Sequence, residues 1–283
     1  MEQFNEEMKA KKYVFECKHY DMSNLKHIGI FLLGFAGLQV VSILVSIVVA
    51  FFMTKANYDL EAALDAFTKF NTGNAYNAEL LDVYLQYAIY MQVISYIVIT
   101  ICCLASLLKK DFLNIFKDFK NKNSWIYGLV FGALLVAGSS FIGLIINFIR
   151  GETEVNANES MIRLLSDKYY IPMFIVTVFC APIVEEITYR LCVFGFLNKK
   201  NKWLALIFSA LIFAFLHFDF AAKGEDMINE LWNLPVYIYS GVILALAYSR
   251  EGRLSDSIVA HALNNGLSMI LMLIPTETVL GII

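Results

Sequence analysis

The chain has 283 residues, 59% hydrophobic and only 17% charged, with a mean hydropathy of +0.62. Soluble domains are about 45–50% apolar with about 25% charge, so a water-soluble globular protein is excluded and an integral all-α membrane protein is expected. The net charge of −3 says little, because the charges lie in the loops between apolar runs, and no nucleic-acid partner is expected.

Residues 1–26 are polar and carry Lys9, Lys11, Lys12, Lys18 and Lys26. The first apolar run, about 28–53, is too long for a signal-peptide core and should stay as an anchor. Residues 54–82 form a mostly acidic loop. Within it Leu60, Ala63, Leu64 and Phe67 fall at helical spacing, which predicts a short amphipathic helix. A second span covers about 83–108. The basic linker 109–123 repeats Phe112, Ile115, Phe116 and Phe119 between lysines, the pattern of a helix lying in the membrane interface; a solvated loop is the plainer reading. Further spans cover about 125–149, 170–197, 203–220, 232–248 and 256–274, with Pro275 ending the last.

This makes seven spans, or eight if one loop is re-entrant. The chain divides into a two-span region with its basic linker, 1–124, and a second region, 125–283. With the N-terminus in the cytoplasm, fifteen of the 22 Lys and Arg residues fall on the inner side and six on the outer, as the positive-inside rule requires. The remaining one, Arg190, lies inside a span. The five cysteines, Cys17, Cys102, Cys103, Cys180 and Cys192, form no C-x-x-C pair and read as small buried residues.

The segment Pro182-Ile183-Val184-Glu185-Glu186-Ile187-Thr188-Tyr189-Arg190 places two acids and a base inside an apolar run. A charge near the centre of a span costs roughly 2.5–3.5 kcal/mol, so such groups point to function. A charge cluster holding helices in register at the lip of a cavity is the structural alternative. Residues four apart share a helix face, so Arg190 can pair with Glu186. Glu185 is turned away and left without a local cation, as a general base needs.

Two histidines also lie within spans, His217 and His261, the latter four residues before Asn265. His19 and His27 flank the first span and carry no evident role. Glu185, His217, His261 and Asn265 come from three spans, and a dry setting requires polar partners for each; one shared cavity is the economical solution. A Glu and a His can activate water, while a second His and an Asn can donate to an oxyanion. No serine or cysteine stands out as a nucleophile. Ser209 and Ser268 are expected to bond carbonyls of their own helices.

Glu185-Glu186-x-x-x-Arg190, Phe213-x-x-x-His217 and His261-x-x-x-Asn265 resemble, in order and spacing, the three motifs of the CAAX prenyl protease type 2 and bacteriocin-processing (CPBP, or Abi) family. The resemblance covers about residues 170–270. It implies an all-helical intramembrane endopeptidase whose site opens to the cytoplasm. Glu185 would activate water with help from His217, His261 and Asn265 would stabilise the oxyanion, and Glu186, Arg190, Tyr189 and Phe213 would shape the site. It implies a peptide or protein substrate at the membrane and, in bacterial relatives, roles in peptide maturation, bacteriocin immunity or regulation of a membrane sensor kinase. Many members have Phe and Gly where this chain has Tyr189 and Leu191. The Tyr189 hydroxyl could bond Glu185, and Leu191 could narrow the packing.

No cofactor is expected. Zinc is the alternative, with Glu185, His217 and His261 as its three ligands, but the more specific H-E-x-x-H signal is absent. A non-catalytic scaffold for a sensor kinase and a proton-coupled transporter are the rival functions. The absence of an inverted repeat weighs against the transporter.

Overall fold

The computed structural model describes residues 22–107, 109–151 and 157–274. The predicted role of residues 1–21, including Cys17 and His19, and the stop at Pro275 lie outside these. Nine helices make up the described chain: α1 (Asn24–Lys55), α2 (Leu60–Asn71), α3 (Ala78–Ser106), α4 (Lys109–Phe119), α5 (Lys122–Arg150), α6 (Ala157–Asn198), α7 (Lys202–Leu216), α8 (Glu225–Glu251) and α9 (Leu254–Leu271). Their ends follow from local chemistry. Ser23, Asp59, Asn77, Asn121 and Asn201 each accept a backbone N–H of the first turn that follows. Gly151 and Gly252 close α5 and α8 in the left-handed conformation, where a side chain would clash.

Each of the seven predicted spans falls on a helix. Five of them, α1, α3, α5, α6 and α8, are long and apolar enough to cross a bilayer. The other two are special. α7 has 15 residues, a rise of roughly 22 Å against a hydrocarbon core of about 30 Å. α9 carries Asp256, His261, Asn264 and Asn265, so it can lie at membrane depth only when enclosed by other helices. α5 and α6 enclose it. Gly128 and Gly132, one turn apart on α5, let α9 approach so closely that an added Cβ would stand 2.5 Å from Val259 and 2.7 Å from Leu263.

The turn before α9 is fixed by charge. Arg253 donates to both Asp256 oxygens at 3.0 Å, and Ser124 of α5 donates to the same carboxylate at 2.7 Å. α2 and α4 are the two predicted amphipathic helices. In α4 three of the four expected apolar residues, Phe112, Ile115 and Phe119, pack on the core, with Asp111 and Asp118 buried beside them, whereas Phe116 is 51% exposed. Asp111 points inward because Lys26 of α1 reaches it at 3.1 Å.

One apolar core joins Ile30 of α1, Ile99 and Cys103 of α3, Ile187 and Leu191 of α6, Tyr248 of α8 and Ile258 of α9. The first two spans thus pack directly on the helix that carries the acid pair. Leu191 belongs to this core, with no exposure. Its bulk is absorbed there rather than among the polar site groups.

α6 is the irregular element. Pro172 lacks an N–H and crowds the carbonyl of Lys168, and the backbone kinks at Tyr169 (φ −124°, ψ 50°). Two π-helical stretches follow, Val176–Cys180 and Glu186–Phe194, on either side of a single α-turn, Ala181–Glu185. Such register changes concentrate at functional sites because they re-aim side chains at the cost of regular hydrogen bonds.

Replacing Gly132 with Val should push α9 off α5. We expect a loss of about 1–3 kcal/mol, read as a lower Tm of the purified protein in detergent, whereas Gly143→Val, where an added Cβ meets nothing, should leave Tm unchanged.

Candidate active site

The acid pair sits where the α-turn of α6 gives way to the second π-helical stretch. Glu186 has no exposure, and neither has Arg190. Their charges lie 3.1 Å apart, as the i, i+4 spacing predicts. The contact runs off the hydrogen-bond axis, since neither Oε2 of Glu186 nor Nε of Arg190 has a directional partner. Coulombic attraction, rather than a directional hydrogen bond, therefore binds the pair. The guanidinium carbon is 4.8 Å from the centre of the Phe213 ring, a cation–π contact that a dry setting strengthens.

Ser209 of α7 corrects the expectation from sequence. Its hydroxyl donates to the carbonyl of Tyr189 on the facing helix at 3.1 Å, and Arg190 Nη1 reaches it at 3.4 Å. The close approach of α6 and α7 offers an acceptor better placed than its own helix. Tyr189 sets its ring edge-on to Phe213 at 5.8 Å.

His261 of α9 lies between the two acids. Nδ1 is 3.0 Å from Glu186 Oε1, and Nε2 is 3.9 Å from Glu185 Oε2. A carboxylate only accepts, so Nδ1 is the donor and carries a proton. That bond fixes the ring plane and turns Nε2 toward Glu185. Glu185 Oε2 is buried and has no hydrogen-bond partner among the described residues. Two carboxylates thus flank His261, and one guanidinium stands beside them.

His217 ends α7, with its backbone already out of the helix (φ −93°, ψ 1°). Its Nδ1–H donates to the Phe213 carbonyl at 2.9 Å, which leaves Nε2 as the nitrogen open to proton exchange. The ring lies between two aromatic rings, Phe213 at 4.7 Å and Tyr237 of α8 at 4.6 Å, the latter nearly parallel. Phe213 also faces the His261 ring at 5.8 Å, so one apolar side chain touches both imidazoles and the guanidinium. Tyr237 was not evident from sequence: one tyrosine in an aromatic-rich helix carries no spacing that marks it.

Asn265 is one turn beyond His261, and its Nδ2 donates to the backbone carbonyl of Thr177 at 2.9 Å. Glu185, Glu186 and His261 are thus brought together, with His217 linked to them through Phe213. Glu185, His217 and His261 do not gather as a metal-holding set among the described residues.

Removing Arg190 leaves a buried anion without its cation. Arg190→Met should cost about 3–5 kcal/mol, and Arg190→Met with Glu186→Gln should recover most of it. Thermal unfolding of the single and double variants in detergent checks both outcomes.

Residues 167–267 match the family described as type II CAAX prenyl endopeptidase Rce1-like. The membrane-embedded CAAX protease MroQ of Staphylococcus aureus is 29% identical over 199 residues, covering 67% of this chain and 76% of that protein. The UPF0177 protein YaiF of Lactococcus lactis is 24% identical, covering 62% of this chain and 76% of that protein. The putative membrane peptidase YdiL of Bacillus subtilis is 33% identical over 109 residues, 38% of this chain and 40% of that protein. No solved structure matches the chain. Three motifs in family order within residues 167–267, together with these relatives, support a likeness to the CPBP family of CAAX-type membrane proteases.

Proposed function

We propose that the protein is an intramembrane endopeptidase in which Glu185 activates water to hydrolyse a peptide bond of a membrane-associated peptide or protein terminus. The observation that carries this is the buried, unpartnered Oε2 of Glu185 facing His261 Nε2 at 3.9 Å. Glu186 is neutralised by Arg190 and bonded to His261, whereas Glu185 keeps an oxygen with no protein partner. Two neighbouring carboxylates are thereby set to different tasks.

In this reading Glu185 takes a proton from water as the new C–O bond forms. The carbonyl π-electrons move to oxygen, and a proton on His261 Nε2 stabilises the oxyanion. The tetrahedral species collapses, the C–N bond breaks, and the departing amine receives the proton from Glu185. His217, through its open Nε2, assists the transfer. Arg190, Glu186, Phe213 and Tyr189 shape the site. The cation–π contact and the ion pair hold Glu186, and Glu186 in turn holds His261.

The depth of the site supports a substrate at the inner leaflet. His261 lies seven residues beyond Leu254, the first residue of α9, or about 10 Å along the axis. That end adjoins the turn with Arg250 and Arg253, the basic side that the positive-inside rule assigns to the cytoplasm together with the N-terminus.

Glu185→Gln should lower cleavage by at least about 10²–10⁴-fold, while the amount inserted in the membrane stays unchanged. The substrate is sought by comparing membrane peptidomes of cells holding the wild-type or the Gln variant. Undiminished processing in the variant would overturn the mechanism, and full complementation by a variant that cleaves nothing would favour a scaffold.

A further inference from the structure

The first π-helical stretch of α6 creates a specific debt in the backbone. Ala181 N–H bonds Val176 O, five residues back. In that register the next carbonyl, Thr177, requires the N–H of residue 182. Residue 182 is proline and has none. The regular α partner, Ala181, is already engaged. A carbonyl left bare at this depth would lose a hydrogen bond with no water to replace it.

Asn265 fills the gap, with Nδ2 2.9 Å from the Thr177 carbonyl. Gly266 beside it packs on Val178 of the π stretch, where an added Cβ would make an ordinary contact at 3.6 Å. A second bond ties the same two helices in the reverse sense, from Tyr170 Oη to the Met269 carbonyl at 3.1 Å.

We infer that Asn265 is a positioning residue: by capping the Thr177 carbonyl that the π register and Pro182 leave without a donor, it fixes the rotation of the α-turn that presents Glu185. Glu185 is three residues past Pro182 on that single turn, so any unwinding of the π stretch turns its carboxylate. Through this bond the amide acts on the backbone, and its second N–H is left for the oxyanion. Only the cleavage readout below rests on the reading of Glu185 as the base.

The test is a rescue. Asn265→Ala removes the donor, and Asn265→Asp keeps the shape but also lacks it. Pro182→Ala supplies an N–H at the position the Thr177 carbonyl addresses. Either Asn265 variant should lower Tm by about 2–8 °C and change the rate at which a hydrophobic carbodiimide labels Glu185, followed by peptide mass spectrometry. Cleavage should fall about 10²-fold, mainly in kcat. Adding Pro182→Ala to Asn265→Ala should restore Tm and the labelling rate together. Failure of Pro182→Ala to restore Tm and labelling overturns the inference, as does restored Tm with no change in Glu185 labelling in any variant. Tm and labelling need no substrate, so they read the cap even if the wild type cleaves nothing.

Discussion

A buried guanidinium and carboxylate, 3.1 Å apart with no exposure, set the terms for the rest of this structure. Neither charge is tolerable alone at membrane depth. Their neutralisation recruits groups from two other helices: the Phe213 ring and Ser209 hydroxyl of α7 for Arg190, and the His261 imidazole of α9 for Glu186. The same contacts that stabilise the pair therefore bring α7 and α9 against α6. Glu185, one residue away, inherits the enclosed setting without sharing the neutralisation.

The second organising constraint is backbone register. In an unbroken α register from Ala157 to Asn198 only Pro172 and Pro182 would interrupt the internal hydrogen-bond ladder, yet α6 changes register on both sides of Glu185. Each change frees or misdirects carbonyls, and side chains from neighbouring helices answer them. Asn265 bonds the Thr177 carbonyl and Ser209 bonds the Tyr189 carbonyl. The site is thus held by polar side chains reaching into an irregular helix, within a bundle whose other crossings rely on small residues. Gly34 against Thr188 and Gly241 against the backbone of Ala210 show how closely those crossings approach.

Much of this was legible in the sequence. Long apolar runs can only be helices in a bilayer, because hydrocarbon offers no hydrogen bonds to an open backbone, and the helices follow those runs closely. Of the polar residues inside them, Glu185, Glu186, Arg190 and His261 meet one another, whereas His217 and Asn265 bond backbone carbonyls. The pairing of Glu186 with Arg190 follows directly from i, i+4 geometry. The motif residues of α6, α7 and α9 needed only their chain order to be recognised.

What the tertiary structure alone decided is which atom meets which. Ser209 turns to the facing helix rather than its own, because the closest carbonyl belongs to a neighbour. Tyr237 reaches His217 from a helix that bears no motif. Ile115 goes inward while Phe116 stays exposed, since the Lys26–Asp111 contact sets how α4 is rotated. The π register leaves no mark in composition or periodicity, for it is stabilised by partners distant in the chain, and so the bond from Asn265 to Thr177 could not be read one residue at a time. Hydrophobic length and period are properties of a segment, whereas register and hydrogen-bond partner are properties of the packed whole.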